Sequence, residues 1–489
     1  MIEKPPHVFD RDKEWQALTE FCSLTAPGAG LGLVYGRRRQ GKTFLLASLV
    51  ESSGGFMFSA TQQSSAQNLR ALSEAYCRHL DRPISYFSNW PSAIDALFRL
   101  GEGGDRPVPV VIDEFSYLMD GVEGIASIIQ VAMDPGHWAH SNSRVRLILC
   151  GSALTTMRGL LGGSAPLRGR ALVNVTVHPF GFRDAATFWG VADRPELAFR
   201  INAILGGTPA YHAMVGGPPS DPEGFDAWVC RKLLEPNEVV FAEGAVLLHQ
   251  QPEFVDPALY FSVLAAISRG AHRRAEIAAA LDRPSNAIGH ALSVLEDVRF
   301  IERTEDALRN QRPVYSLAEP AIRWHQLVIA PNEPLLSIGR AERVWTAAAA
   351  TVASKIYGPH FESMARAWTL EYASEGTLGA LPTAVRPATL ACREHRTSHE
   401  LDVVAMQTEP FQAERILAIG EAKATEKPVG DGELVKLDHI RELLPADHGG
   451  RDARLLLFSR SGYTREIMET VKRRRDVELI DMDRVYNGT

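Results

Sequence analysis

The sequence has little cysteine, with five residues among 489. They are widely scattered and none forms a C-x-x-C pair, so neither a disulfide framework nor a cysteine-rich zinc site is indicated. No apolar run reaches the roughly 18 residues that a membrane helix needs. The first residues also lack the pattern of a signal peptide. We therefore expect a cytoplasmic protein with no part in the membrane.

An excess of positive charge is missing as well. The net charge of −7 argues against a protein coated in basic residues, although it leaves room for a local basic patch. The apolar and charged fractions, 45% and 23%, are those of ordinary globular proteins. A chain of 489 residues then predicts two to four domains rather than one.

A phosphate-binding loop stands near the N-terminus. Residues 36–43 read G-R-R-R-Q-G-K-T, between an apolar strand pattern at 31–35 and a helical pattern at 44–50. In that setting backbone N–H groups cradle phosphates, Lys42 reaches the β- and γ-phosphates, and the Thr43 hydroxyl helps to hold Mg²⁺. The alternative is a glycine-rich surface turn.

Two further strand ends carry polar residues suited to the same site. Residues 107–115 (P-V-P-V-V-I-D-E-F) predict a buried parallel strand that ends at the ligand edge of an α/β sheet. Asp113 would orient the Mg²⁺ shell and Glu114 would activate the attacking water as general base. A third strand, 145–150, runs into Ser152, which could touch the γ-phosphate or its water. The alternatives are a surface acid pair and a simple turn.

Arginines follow in the sequence A-P-L-R-G-R at 165–170. Arg168 and Arg170 are candidate fingers on the γ-phosphate, in cis or from a neighbouring subunit. The alternative is a solvated basic loop. The predicted nucleotide-binding residues are Gly36, Arg37, Arg38, Arg39, Gln40, Gly41, Lys42, Thr43, Phe44 and Ser152.

Six motifs together resemble the archaeal-type ATPases, an AAA+/STAND-related P-loop family. The resemblance covers about residues 5–240 and implies ATP rather than GTP, with residues 9–11 close to the adenine. In family order the motifs are F-D-R-D-K-E at 9–14, the arginine-rich loop, I-D-E-F at 112–115, C-G-S at 150–152, P-L-R-G-R at 166–170 and G-G-T-P-A-Y at 206–211.

The middle of the chain looks like a winged helix-turn-helix. Helical patterns at 260–268, 274–281 and 286–298 precede two strand patterns at 300–303 and 313–317. The third helix has no lysine or arginine, whereas a helix that reads DNA usually brings basic or amide groups to it. DNA binding and a structural or protein-binding role therefore both stay open. The segment A-E-P-A-I-R-W that follows resembles the family's closing D-P-x-x-R-F-W motif.

A second polar constellation lies near the C-terminus. Glu362 belongs to a helix over 358–373, Asp402 to a strand over 400–405, and Glu421 and Lys423 share one face of a strand over 416–423. Carboxylate oxygens suit Mg²⁺ or Mn²⁺, which would lower the pKa of a water beside a phosphodiester. Lys423 would orient that water or stabilise the developing charge. The alternative is a salt-bridged strand edge.

This arrangement resembles the PD-(D/E)xK nuclease core, and specifically the nuclease-like domain that ends many archaeal-type ATPases. The resemblance covers about residues 345–489. The usual proline before the metal aspartate is replaced by Leu401. A basic run at 471–475, V-K-R-R-R, would grip phosphates or simply end a helix, where the helix dipole favours positive charge.

The sequence therefore predicts a multidomain α/β protein. Its parts are a P-loop parallel-sheet core (1–180), a helical lid (181–250), a winged helix-turn-helix (251–330), a linker (331–345) and an α/β restriction-endonuclease-like domain (346–489). The expected function is ATP binding and hydrolysis that regulates a metal-dependent nuclease-like domain acting on DNA. A regulatory or DNA-binding switch without nuclease activity is the alternative. The expected partners are ATP, DNA, and a second copy of the chain or a regulatory protein.

Overall fold

The computed structural model describes residues 2–26, 28–163, 165–250, 254, 256–392, 396–408, 414–445 and 449–489. Its contacts divide the chain into two compact units. The first runs to Pro179 and the second contains nearly all residues from Phe180 onward. Among the described residues, no helix is both long enough and apolar enough to cross a lipid bilayer.

The first unit is built on a five-stranded sheet. Its strands are β1 (Gly30–Tyr35), β2 (Phe56–Ser59), β3 (Val108–Asp113), β4 (Val145–Gly151) and β5 (Ala171–Thr176). Its helices are α1 (Asp12–Cys22), α2 (Lys42–Ser53), α3 (Ser65–His79), α4 (Trp90–Arg99), α5 (Phe115–Gly121), α6 (Ile125–Ala132), α7 (Trp138–Asn142) and α8 (Leu154–Gly159).

The strand order in this sheet is β2-β3-β4-β1-β5, and every neighbouring pair is parallel. The central strands β1 and β4 are buried along their whole length, because helices cover both faces of the sheet. The phosphate-binding loop joins β1 to α2, as predicted. This is the parallel α/β sheet typical of the P-loop ATPase fold, and that part of the fold prediction is confirmed.

The second unit begins with helices and includes the motif at 206–211. A Cβ atom on Gly207 would lie 1.9 Å from the carbonyl oxygen of Phe180, so this approach requires glycine. The Phe180 amide donates a hydrogen bond of 2.8 Å to the Gly207 carbonyl. The motif therefore holds the backbone at Gly207 directly against the backbone at Phe180. The helices here are α9 (Phe182–Phe188), α10 (Pro195–Leu205), α11 (Ala210–Val215), α12 (Phe225–Lys232) and α13 (Glu243–His249).

Three helices and an antiparallel ribbon follow, which we call the helix–ribbon module (residues 257–317). The third helix begins as a 3₁₀ turn, Ser285–Ile288, before it becomes α-helical. The three helices and the ribbon share one apolar core. The elements are α14 (Pro257–Arg269), α15 (Arg274–Ala280), α16 (Gly289–Asp297), β6 (Ile301–Asp306) and β7 (Arg309–Leu317).

Residues 331–345, which we expected to be a linker, are largely helical. Pro331 and Pro334, which favoured the linker interpretation, lie in the first turns of short helices, where proline is tolerated because no N–H partner is needed. The run comprises α17 (Pro320–Trp324), a π-helical segment His325–Ile329, a 3₁₀ turn Ala330–Asn332, α18 (Glu333–Leu336), α19 (Ala341–Thr351), a π-helical segment Val352–Tyr357, α20 (Gly358–Glu371) and α21 (Glu375–Leu378).

The C-terminal part of the second unit is a mixed five-stranded sheet. Its elements are β8 (Ala384–Cys392), β9 (Thr397–Gln407), β10 (Arg415–Lys423), α22 (Asp431–Leu443), a 3₁₀ turn Gly450–Asp452, β11 (Arg454–Ser459), α23 (Arg465–Val471), β12 (Val477–Asp481) and α24 (Met482–Asn487). The strand order is β12-β11-β10-β9-β8. Strands β8 to β10 are antiparallel, whereas β10 to β12 are parallel.

Helices α20 and α22 cover opposite faces of this sheet. Leu457 of β11 shares an apolar core with α22, whereas the next residue, Phe458, packs its ring edge against Trp368 of α20 at 5.6 Å. Successive strand residues point to opposite faces, so the two helices must lie on different sides. The candidate carboxylates of this domain are thus carried by a sheet with a helix on each face.

The tip of the ribbon packs into this C-terminal domain. The buried Asp306 carboxylate accepts a hydrogen bond of 3.0 Å from the Thr389 amide of β8. The Ala307 amide donates to the Pro387 carbonyl at 2.9 Å, and Ala307 and Leu308 pack against the core between the sheet and α22. The ribbon tip is therefore an internal structural contact.

Candidate functional sites

The phosphate-binding loop depends on close packing at its first glycine. A Cβ atom on Gly36 would lie 2.3 Å from the Val177 carbonyl oxygen and 2.9 Å from Gln40 Oε1. Any larger residue would push the loop away from the strand end. At the far end of the loop, helix α2 begins at Lys42 with its first N–H groups at the loop. A helix N-terminus in this position attracts anions such as phosphate.

The Lys42 ammonium is held by the loop itself. Its Nζ atom donates hydrogen bonds of 2.8 Å to the carbonyls of Gly36 and Arg37. The side chain is buried, and burial lowers the pKa of Lys42, while the carboxylates of Glu114 and Asp113 act in the opposite direction. A phosphate group that entered the loop would offer this ammonium a stronger, charged acceptor.

Thr43 and Asp113 meet at the carboxyl end of β3. The Thr43 hydroxyl donates a hydrogen bond of 2.7 Å to Asp113 Oδ2, across 70 residues of sequence. Asp113 Oδ1 accepts a bond of 2.9 Å from the Glu114 amide. A hydroxyl and a carboxylate oxygen beside a phosphate loop form the kind of donor set that Mg²⁺ takes in nucleotide sites. The residues present therefore fit this ion.

Glu114 has a strained backbone and a fixed side chain. It precedes helix α5 with a φ of 50°, in the left-handed region that non-glycine residues seldom adopt. Its carboxylate accepts a hydrogen bond of 2.9 Å from the Ser152 hydroxyl, just after β4. The structure thus brings together Glu114 and Ser152 from neighbouring strand ends. Backbone strain at a half-buried polar residue is often found at functional sites.

Other loop residues have partners that the sequence did not reveal. Arg38 donates to the hydroxyl of Tyr117, on α5, at 2.6 Å. Arg11, buried, donates to the Gln40 carbonyl at 3.3 Å, which brings the predicted adenine-proximal segment to the loop. No spacing rule connects Tyr117 to the loop, because only the fold brings α5 there. The buried loop side chains are Arg37, Gln40 and Lys42.

Phe44 presents an open aromatic surface beside the loop. Its side chain is 54% exposed although it directly follows Thr43. The edge of the ring meets the imidazole of His7 at 5.6 Å, and the His7 ring lies 3.2 Å from the Ser48 hydroxyl. An exposed aromatic face next to a phosphate loop is suited to packing against a nucleotide.

The two candidate finger arginines have other partners within the chain. Arg168 is exposed and donates to the Gly163 carbonyl at 2.7 Å. Arg170 donates to the Met133 carbonyl at 3.3 Å and forms an ion pair with Asp134. Neither arginine is among the partners of Lys42, Thr43, Asp113 or Glu114. A finger role in cis would require these arginines to move, whereas exposed Arg168 is accessible to a second copy.

In the second unit the structure brings together Glu362, Asp402, Glu421 and Lys423, which we call the carboxylate cluster. Asp402 lies on β9 beside the end of β10, and its Oδ2 atom accepts a bond of 2.8 Å from the Ala422 amide. Arg366, one turn after Glu362 on α20, donates to the Asp402 carbonyl at 3.0 Å. Helix α20 is thus tied to β9 at the position of Asp402.

Glu421 is the most buried member of the cluster, with 5% exposure. Its Oε1 atom accepts hydrogen bonds from Lys423 at 2.6 Å and from Lys436 of α22 at 2.8 Å. Its other oxygen, Oε2, is buried without a hydrogen-bond partner among the described residues. Lys436 belongs to no motif read from the sequence, since it comes from a helix that only the fold brings to β10.

The carboxylates of the cluster are buried close to one another. Burial, together with the nearby charges of Glu362 and Glu421, raises the pKa of Asp402 to about 8. Burial also raises the pKa of Glu362, against the positive charges of Arg366 and His272. Crowded carboxylates and the bare Glu421 oxygen are what a divalent cation would satisfy, so the residues present fit Mg²⁺ or Mn²⁺.

The basic residues of the helix–ribbon module are partly engaged. Arg273 lies 3.8 Å from the Glu276 carboxylate and donates to Thr389 of β8 at 3.4 Å. Arg274 donates to the Ser285 carbonyl at 2.7 Å. The third helix exposes His290 but no cationic lysine or arginine. This surface is therefore poorly suited to phosphate contacts.

The basic run 471–475 follows the end of helix α23. Arg474 is tied to Asp438 and Asp476 in ion pairs of 2.6 and 2.5 Å. Lys472 pairs with Glu469 at 2.6 Å. Arg473 and Arg475 are exposed. Lys472 and Arg474 are thus held in ion pairs near the end of the helix, which agrees with a structural role for these two residues.

No protein-family model matches the chain. An uncharacterized protein of Methanocaldococcus jannaschii is 25% identical over 329 residues, which are 66% of this chain and 69% of that protein. The Walker-type ATPase of Pyrococcus abyssi is 20% identical, with a TM-score of 0.48 over 65% of this chain and 96% of that one. The ORC2 protein of Aeropyrum pernix is 17% identical, with a TM-score of 0.41 over 71% and 97% of the two chains.

Proposed function

We propose that this chain binds and hydrolyses ATP, and that its ATPase regulates a metal-dependent nuclease-like domain that acts on DNA. The observation that carries the proposal is the meeting of Thr43, Asp113 and Glu114 beneath a complete phosphate-binding loop. In this interpretation the loop N–H groups and Lys42 bind the phosphates. Mg²⁺, when bound, offsets the phosphate charge and orders the phosphate oxygens.

Glu114 is the proposed general base of hydrolysis. Its carboxylate accepts the proton of the attacking water, and the Ser152 hydroxyl holds that carboxylate in place at 2.9 Å. The Thr43 hydroxyl and the Asp113 carboxylate would supply oxygen atoms that hold the cation beside the loop. Arg168 or Arg170 would stabilise the charge that develops on the γ-phosphate, and exposed Arg168 is suited to act across a subunit boundary.

The carboxylate cluster is the proposed phosphodiester site. Asp402 and Glu421, with Glu362 above them, supply oxygen ligands at the end of the β9–β10 hairpin. These residues would hold a divalent cation, which would supply polarisation of a phosphodiester oxygen and a lowered pKa of a water molecule. Lys423 orients the water and stabilises the charge that builds on the phosphate.

A direct connection within the second unit supports regulation of this site. The Arg460 side chain forms a two-pronged ion pair with Glu196 of α10, with Nε contacts of 3.1 and 3.0 Å. The Arg460 amide also donates to the Lys423 carbonyl at 3.0 Å. Helix α10 belongs to the predicted lid. A shift of this helix would thus move Arg460, which in turn holds the backbone of Lys423 in the carboxylate cluster.

The proposed nuclease function is tested by nicking of supercoiled plasmid DNA. The full chain is assayed with Mg²⁺ or Mn²⁺, with and without ATP, beside Glu421→Gln and the exposed control Glu426→Gln. We expect nicking by the parent and by Glu426→Gln, and at least about a 100-fold loss in Glu421→Gln. No cleavage of DNA by the parent under any metal or nucleotide condition would contradict the nuclease proposal, and cleavage of RNA alone would correct the substrate.

A second candidate is an ATP-dependent switch without nuclease activity. The observation that favours it is the ribbon tip, which lies in the C-terminal core instead of being free for DNA. In this case ATP turnover would change the exposed surface of the second unit for a protein partner. The switch is favoured if Lys42→Ala changes the hydrogen-exchange pattern of the second unit with ATP while no variant or parent cleaves nucleic acid.

A further inference from the structure

Three side chains that bind soft metals lie together, apart from both sites above. They are Cys392, His399 and His439, whose ligand atoms all fall within 4.8 Å of one another. No sequence motif indicates this grouping, because the cysteine and the second histidine are 47 residues apart. Neither the proposed ATPase nor the carboxylate cluster uses any of the three.

Each of the three residues is carried by a different element of the C-terminal domain. Cys392 ends β8, His399 lies near the start of β9, and the two strands are paired there, with Leu390 opposite His399. His439 comes from α22, which packs on the same sheet. Cys392 is buried and both histidines are half-buried. The set is therefore positioned by regular structure instead of by a loose loop.

The distance between the cysteine sulfur and one histidine nitrogen matches an edge of a small coordination polyhedron. Cys392 Sγ lies 3.6 Å from His439 Nε2, and the two imidazole rings have centroids 5.4 Å apart at an angle of 77°. Bond lengths of about 2.0–2.3 Å in a tetrahedral zinc site require ligand atoms roughly 3.3–3.8 Å apart. The sulfur and nitrogen already have this separation.

We propose that Cys392, His399 and His439 bind Zn²⁺ through one thiolate and two imidazole nitrogens. Sulfur and imidazole ligands favour Zn²⁺, whereas the all-oxygen carboxylate cluster favours Mg²⁺ or Mn²⁺, so the two sites select different ions. Helix α22 carries both His439 and, one turn earlier, Lys436, which binds Glu421. Zinc would fasten this helix to the β8–β9 hairpin and thereby steady Lys436.

The test is metal binding by the full chain, freed of any polyhistidine tag and stripped with a chelator. Co²⁺ serves as a spectroscopic probe, because a coordinated thiolate gives it a charge-transfer band in the near ultraviolet. We expect that band in the parent and in Glu421→Gln, and its loss in Cys392→Ser. Zn²⁺ affinity should fall at least about 100-fold in Cys392→Ser and in His439→Gln.

Two control variants keep the result interpretable. Cys230→Ser changes a cysteine of α12, and His290→Gln changes an exposed histidine of the helix–ribbon module; both should bind Zn²⁺ like the parent. Circular dichroism checks that each variant is folded, and His439→Gln serves if Cys392→Ser is not. Two results would contradict the zinc site: Co²⁺ binding by the parent without the thiolate band, or full Zn²⁺ affinity in a folded Cys392→Ser. Cys392 and His439 would then make only a sulfur–nitrogen contact.

Discussion

The two polar sites of this chain solve the same problem, burial of charge near a strand end, in opposite ways. In the phosphate-binding loop the buried charge is the Lys42 ammonium, and backbone carbonyls of its own loop satisfy it. In the carboxylate cluster the buried charge is negative, and two lysine side chains, Lys423 of the same strand and Lys436 of α22, pair with the Glu421 carboxylate.

This difference explains how each site responds to the absence of its ligand. The loop keeps Lys42 hydrogen-bonded by folding around it. The cluster instead leaves an oxygen of Glu421 without a partner among the described residues and pushes the pKa of Asp402 up to about 8. We therefore expect the nucleotide site to tolerate an empty state well, and the cluster to depend on either protons or a cation.

The largest effect should come from Lys42→Ala, which removes the buried ammonium that donates to two carbonyls of the loop. Loss of charged hydrogen bonds to phosphate should weaken ATP binding by at least about 100-fold. Calorimetry or a fluorescent ATP analogue measures this. The exposed Lys13→Ala is the matched control. ATP affinity in Lys42→Ala equal to that of the control would remove the lysine from the site, while Co²⁺ binding at the other unit should not change.

Glu114→Gln separates binding from turnover in the nucleotide site. The amide keeps the shape and still accepts a hydrogen bond from Ser152, but it cannot take a proton. We expect kcat for ATP hydrolysis to fall by about 10²–10³ with ATP affinity retained. Steady-state phosphate release measures kcat, and the exposed Glu123→Gln is the control. Unchanged turnover would exclude Glu114 as the base.

Ser152→Ala asks how much the hydroxyl that holds Glu114 matters. The loss of one hydrogen bond to a carboxylate corresponds to about 1–2 kcal/mol, so kcat should fall about 5–30-fold. The sharper measurement is the double variant with Glu114→Gln. Because Ser152 is proposed to act through that carboxylate, Ser152→Ala should have little further effect there. Additive effects would mean that Ser152 contacts the nucleotide independently.

The smallest effect should be a pH-dependent stability at the carboxylate cluster. The folded pKa of Asp402, about 8, lies above the ordinary value near 4. Between these pH values the folded chain binds more protons at Asp402 than the unfolded chain does. The contribution of Asp402 to stability is therefore fully present below about pH 4 and is lost as the pH rises through about 8. With a chelator present, thermal unfolding should therefore occur at lower temperature at pH 8.5 than at pH 6.

Asp402→Asn provides the control for this pH dependence. The amide cannot ionise, so its unfolding temperature at pH 8.5 should exceed that of the parent by at least about 2 °C, since roughly 1 kcal/mol corresponds to about 2–4 °C in a domain of about 150–250 residues. Mg²⁺ should raise the unfolding temperature of the parent and leave Asp402→Asn nearly unchanged. A parent whose unfolding temperature is flat across this pH range would contradict the crowding of charge in the cluster.

The sequence predicted well what depends on local spacing. The strand–loop–helix around Lys42 has the expected position, because periodicity and turn chemistry decide it within a few residues. Residues 331–345, which we expected to be a linker, show the limit of such signals, because helices form over most of them. Proline was taken as a break, although the first turn of a helix accepts it.

Features that depend on distant packing escaped prediction. Strand β8 was missed because Pro387 interrupts its pattern, and the structure accommodates this proline at a shift in register. Lys436 and the Cys392–His399–His439 set were missed for a related reason. Their members lie far apart in sequence, and only the packing of α22 on the sheet joins them.

The ribbon tip fills part of the C-terminal core, and this limits how the C-terminal domain can be separated from the rest of the chain. A fragment made of residues 346–489 would leave Ala307 and Leu308 behind, and Thr389 would lose its Asp306 acceptor. Such a fragment would have an apolar gap in its core, and its Thr389 amide would have lost its acceptor within the protein. A fragment that keeps these contacts must include the ribbon tip, so the helix–ribbon module and the C-terminal sheet should be truncated or grafted together.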